Sequence, residues 1–174
     1  PRLYTRSRIN PRTVTPHELR EINLQDYQVI VLANVGDVKT ALTERVKSFV
    51  RQGGGLLFTL GDNVDADVYN AAWGDLLPRE LRGVKQPYAG SQGKKEIRTM
   101  HLESLSPDAE VHPVLSVFQQ PGQGDLGLAG FKKYFLLQQE VEPQSRIILR
   151  LTDGIPMMVE SEYGRGKAVL FASS

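Results

Sequence analysis

From residue 28 onward, the apolar positions of the chain fall into a strand–helix–strand rhythm. Val29 to Leu32 is an unbroken β-branched and aliphatic run, the pattern of a strand buried on both faces. Leu42, Val46, Phe49 and Val50 then recur at i, i+4, i+7 and i+8, one face of a helix over 39–52. Asp37 and Thr40 mark its start. Lys47 and Arg51 sit in its last turns, with Gly53, Gly54 and Gly55 just beyond. Leu56 to Leu60 forms the next apolar strand, which stops abruptly at Gly61, Asp62 and Asn63. A unit this short predicts parallel strands joined by a right-handed crossover.

Around that unit the pattern is looser. Residues 1–16 read as a proline-bearing lead-in with an edge strand near 8–14, and 17–26 as a short helix or turn. A helix is predicted over 66–73, ended by Gly74, with Asp65 and Asp67 capping its start. Residues 82–93 read as a loop, 96–102 as a strand, 113–118 as a helical turn and 119–130 as a mobile glycine-rich stretch. The last forty residues change character. Strands are predicted over 134–141, 146–152, 156–163 and 167–172, with hairpin signals at Asp153-Gly154 and at Gly164 to Gly166. The expected architecture is one α/β domain over 1–174, with a mostly parallel central sheet and antiparallel C-terminal strands.

Composition mainly excludes. At 174 residues, 40% hydrophobic and 24% charged, the chain can bury one substantial core. Its 21 basic residues against 20 acidic ones give no field for nucleic acid, and the cluster Arg2, Arg6, Arg8 and Arg12 reads as a solvated arm. Zero cysteines removes disulfides, zinc-thiolate sites and thiol nucleophiles together. No apolar run approaches the ~20 residues of a membrane span, so this segment is not expected to insert into a bilayer. Beginning at Pro1 and stopping on a strand, it reads as a piece of a longer protein.

Several motifs carry less than they promise. Gly122, Gly124 and Gly127 fit G-x-G-x-x-G, but Pro121 precedes them and no helical period follows, so a loop is expected. His101 and Glu103 stand two apart on one strand face, yet a general base needs a nucleophile to activate, and no serine sits at a strand-to-helix elbow. Asp62 to Asp67 resembles the opening of a calcium loop but lacks the glycine and distal glutamate that complete one. No cofactor or metal is called for. The positional argument goes further. Ligands of open parallel sheets bind beyond the carboxyl ends of the strands, which places Asn34, Asp37, Gly61, Asp62 and Asn63 around one rim. Its carboxylates predict an acidic rim suited to a cation, a polyol or a basic partner, with Gly61 allowing a sharp turn at the floor.

These residues also carry a resemblance. The run Tyr27 to Val35, the glycines before Leu56, the run Gly61 to Asp65, Tyr69-Asn70 and Leu76 to Pro78 resemble the amidotransferase-like region of BatA-type bacterial membrane proteins, which carry a von Willebrand factor A domain. The resemblance covers residues 22–172. It implies a class I glutamine amidotransferase-like fold, a flavodoxin-like three-layer sandwich. The family's cysteine belongs where this chain has Gly61-Asp62, and its histidine and glutamate belong where it has Ser173-Ser174. The resemblance therefore implies a non-catalytic ligand- or protein-interaction module. It also implies an inner-membrane-anchored protein with this domain in the periplasm, meeting other domains of the same or a neighbouring membrane complex. The competing expectation is a hydrolase or sugar-processing enzyme on the same sheet, using Asp62, Asp65 or His101.

Overall fold

The computed structural model describes residues 9–36, 38–89, 96–105, 111–120, 122–139 and 145–173. Its centre is a five-stranded sheet built from β1 (Val29–Ala33), β2 (Gly55–Thr59), β9 (Ser145–Arg150), β10 (Pro156–Tyr163) and β11 (Gly166–Phe171). The strand order is β1-β2-β11-β10-β9. β1 and β11 both run parallel to β2, while β10 runs antiparallel to β11 and to β9. The fold is thus α/β with a mixed sheet, and the parallel unit and both predicted hairpins are where the sequence put them.

Helix α1 (Thr40–Arg51) buries Leu42, Val46, Phe49 and Val50, and helix α2 (Ala66–Trp73) buries Tyr69 and Trp73. Both lie on the same face of the sheet. The rings of Tyr69 and Trp73 pack edge-on against Phe58, and a Cβ at Gly166, in phase with Ala168 and Leu170, would run into the Val50 carbonyl. The register aligns Ile30, Leu56 and Ala168, then Leu32, Phe58 and Leu170, on this buried face.

The opposite face is only partly covered, and this corrects the expectation for β1. Val29 and Val31 are 57% and 54% exposed, because β1 is an edge strand with no helix over its second face among the described residues. Alternation, rather than burial on both sides, governs it. Farther across that face, Phe131 stacks edge-on against Phe171. At the head of a 3-10 segment, Pro113–Gln119, His112 accepts from the Val114 amide through Nδ1 and meets Glu160 through Nε2 at 3.1 Å. Lys167 approaches the other Glu160 oxygen at 3.7 Å, and the His112–Glu160 contact joins the segment to the sheet.

Three further expectations change. Residues 82–85 belong to a strand, β3 (Leu81–Lys85), because a distant partner, β8 (Tyr134–Leu137), pairs with it antiparallel. Of the strand predicted over 134–141, residues 134–137 form β8, in a separate two-stranded sheet, and 140–141 lie outside the described residues. The strand at 96–102 is broken into β5 (Glu96–Ile97), paired with β4 (Tyr88–Ala89), and β6 (Met100–His101), paired with β7 (Gly130–Phe131). Residues 9–14 form no strand, and 17–26 contain two 3-10 turns, Glu18–Arg20 and Leu24–Asp26. Arg2, Arg6, Arg8 and Asp37 lie outside the described residues.

Candidate functional site

The carboxyl ends of β1 and β2 meet, and the loops that leave them are clamped together. Asn34 ends β1 in the left-handed region (φ 50°), a conformation asparagine tolerates better than most residues. From there its Oδ1 accepts from the Asn63 amide at 2.9 Å, while Asn63 Nδ2 donates to the Asn34 carbonyl at 3.3 Å. The Asn34 side chain lies over Gly61. A Cβ at 61 would stand 2.5 Å from Asn34 Cγ, and one at Gly36 would stand 2.4 Å from the Asn63 carbonyl. Gly61 is thus required by the side chain packed on it, not by a left-handed turn. Tyr69 extends the clamp by donating its hydroxyl to the Val35 carbonyl, and burial pushes that hydroxyl up to about 12.

Beside this clamp lies a half-open cavity of about 310 Å³, lined by Asn34, Gly61 and Asp62 and, from the other side, by Phe131, Lys132, Lys133 and Ser173. Three of the five expected rim residues therefore border one concavity. Asn63 serves the clamp behind it. The rim is not acidic: Asp62 is paired with Lys133, and Lys132 also lines the cavity, so two lysines and one aspartate border it. Ser173 Oγ donates to the Lys133 carbonyl at 3.1 Å and holds that turn against the end of β11.

The other candidates are dispersed. Asp65 caps α2, its Oδ1 accepting from the Val68 amide at 3.0 Å. Asp67 sits in the same first turn, as a helix N-terminus favours. His101 bonds the Gly127 carbonyl through Nδ1 at 3.1 Å and does not line the cavity. Gly122 and Gly124 lie in a loop and Gly127 in the 3-10 turn Leu126–Leu128 that follows it; among the described residues the element before them is the 3-10 segment Pro113–Gln119, not a strand. Among the described residues no group of three or more His, Cys, Asp or Glu side chains is placed to share a metal ion.

Lys132, Lys133 and Ser173 were missed by sequence reasoning. Ser173 follows β11 to the sheet end, while Lys132 and Lys133 lead into β8, which pairs with β3 and donates from the Phe135 amide to the Ala172 carbonyl at 2.9 Å. No local pattern at Lys132-Lys133 signals that.

No protein-family model matches the chain, and no curated protein does. Solved structures do. The cytoplasmic protein STM3548 from Salmonella typhimurium is similar over 91% of this chain and 68% of its own, at 20% identity and a TM-score of 0.63. The cytoplasmic protein STM1381 from Salmonella typhimurium LT2 matches 86% of this chain and 61% of its own, at 19% identity and a TM-score of 0.61. A beta-galactosidase from Bacillus circulans sp. alkalophilus matches 89% of this chain with only 21% of its own, at 17% identity and a TM-score of 0.58. The likeness is one of fold. This chain spans about two-thirds of the first two proteins and about a fifth of the third. No helix among the described residues is long and apolar enough to cross a membrane.

Proposed function

We propose that this chain is a non-catalytic, amidotransferase-like α/β domain of the flavodoxin-like, three-layer class that binds a ligand or a partner protein at the carboxyl edge of its sheet. One observation carries the reading. Gly61, two residues beyond β2 and where a nucleophile would stand in an amidotransferase, carries no side chain, and a Cβ there would have to displace the Asn34 side chain packed on it. The chain has no cysteine to serve elsewhere. What borders the cavity is instead an ion pair, a second lysine and a serine already bonded to backbone. A concavity of this size with a few convergent polar groups is what a small ligand or a partner's side chain uses.

The wider setting is part of the proposal: a larger bacterial protein anchored in the inner membrane, with this domain in the periplasm and its partners among neighbouring domains. The resemblance of residues 27–78 to BatA-type proteins supports it. A sugar-processing role is the reading that the beta-galactosidase likeness raises. It would draw on Asp62, Asp65 or His101, of which Asp65 caps a helix, His101 bonds a loop away from the cavity and Asp62 is paired with Lys133.

The test is turnover. Ammonia release from glutamine, and p-nitrophenol release from β-galactoside and β-mannoside substrates, are expected to equal the protein-free blank. Activity that disappears in an Asp62→Ala or His101→Ala variant would overturn the non-catalytic reading.

A further inference from the structure

Among the described residues the outer edge of β1 is unpaired. Gly55 N donates to the Gln28 carbonyl at 2.9 Å, and Asn34 N donates to the Thr59 carbonyl at 2.8 Å. Residues 28, 30, 32 and 34 therefore turn their backbone toward β2. By the alternation of a strand, Val29, Val31 and Ala33 turn their N–H and C=O groups outward. Among the described residues no strand pairs with that side. The usual guards of an edge are a charge, a proline or a bulge. None is present, for Tyr27 to Gly36 contains no charged residue and no proline, and the β1–β2 register is unbroken. The same three residues also point their side chains onto the open face, where Val29 and Val31 are more than half exposed.

We propose that this edge is a self-association surface: two copies of the chain pair β1 with β1, antiparallel, about a twofold axis through Val31. Three features select a second copy as the occupant. The outward-facing positions are centred on Val31, so the pairing Val31 with Val31 and Val29 with Ala33 is self-complementary, each pair exchanging both backbone hydrogen bonds. A symmetric pair brings each central side chain against its own kind, which is tolerable here because the strand is uncharged. The twofold keeps the helices of both copies on the same side, so neither α1 nor α2 obstructs the junction. The ladder is only about 17 Å long, a small contact of the kind found in weak, transient associations. The association is accordingly reversible and depends on concentration.

The absence of native cysteine makes the register directly readable. Val31→Cys places two thiols in a directly opposed pair, Cα atoms about 5.5 Å apart, inside the range a disulfide spans. Val29→Cys places the two thiol-bearing residues about 14 Å apart, outside it. Under mild oxidation the Val31→Cys chain is expected to become a covalent dimer, and the Val29→Cys chain to remain monomeric. In sedimentation, the unmodified chain is expected to move from monomer toward dimer between about 10 µM and 1 mM, the range of a small interface. Val31→Lys, at an exposed position that keeps the fold intact by circular dichroism, should abolish the shift. Val84→Lys, exposed on a different sheet, should not. A chain that stays monomeric throughout, equal cross-linking at 29 and 31, or a dimer that survives Val31→Lys would each overturn the proposal.

Discussion

Replacing Phe58 by alanine is expected to cost about 3–5 kcal/mol of folding stability. Phe58 sits on β2, fully buried, with β1 on one side and β11 on the other. Its ring meets Trp73 edge-on at 5.2 Å and Tyr69 at 6.3 Å, so it joins the sheet to α2. Removing it leaves a void bounded by rigid aromatic groups that cannot collapse into it, the condition under which cavity cost is greatest. Each such aromatic pair also contributes about 0.5–1.5 kcal/mol beyond burial. Urea titration of the variant should show a lowered midpoint with an unchanged slope. A loss under about 1 kcal/mol would mean that this face of the sheet is not the core.

Gly166→Ala is expected to destabilise by about 1–3 kcal/mol although it adds a single methyl group. The added carbon would stand 2.2 Å from the Val50 carbonyl oxygen and 2.3 Å from that of Gly54. Both obstacles are backbone, one in the last turn of α1 and one in the glycine turn before β2, so no rotamer change relieves them. The strand and the helix end must separate instead. For a chain of this length the melting temperature should fall by about 2–4 °C per kcal/mol. A melting temperature within a degree of the parent would place α1 farther from β11 than the sheet packing requires.

The elements that were legible in the sequence are those whose signals are local. The period of Leu42, Val46, Phe49 and Val50 fixed α1 and its buried face, and the hairpin residues at 153–154 and 164–166 fixed the antiparallel tail. Asp65 was legible as a cap because capping is a contact over three residues. β3 was not legible, because Leu81 to Lys85 becomes a strand only through β8, more than fifty residues away in sequence. That same pairing carries Lys132 and Lys133 to the cavity. The rim was therefore read as acidic from Asp37 and Asp62, and its basic half was invisible. The burial of β1 was misjudged for a related reason. An aliphatic run records how apolar a strand is, not whether a layer lies over its second face.

Asn34 and Gly61 were correctly expected at one rim, but for a different reason from the one that holds them there. The expectation came from sheet topology and cast Gly61 as a turn. The packing makes the two residues a single unit, a side chain and the empty place it requires. Asn63 closes the unit by hydrogen bonds to both the side chain and the backbone of Asn34. At this strand end the space beside Gly61 is taken by the Asn34 side chain.

A double-mutant cycle between Gly61 and Asn34 tests that claim most directly. Gly61→Ala alone is expected to cost about 1–3 kcal/mol, since the new Cβ meets the Asn34 side chain. Asn34→Gly keeps the left-handed backbone while removing that side chain. In its background, Gly61→Ala should lose most of its cost, leaving a coupling of about 0.5–3 kcal/mol measured by denaturant unfolding. Additivity within about 0.3–0.5 kcal/mol would contradict the account. It would mean that position 61 is open, with room for the side chain a catalytic elbow would carry.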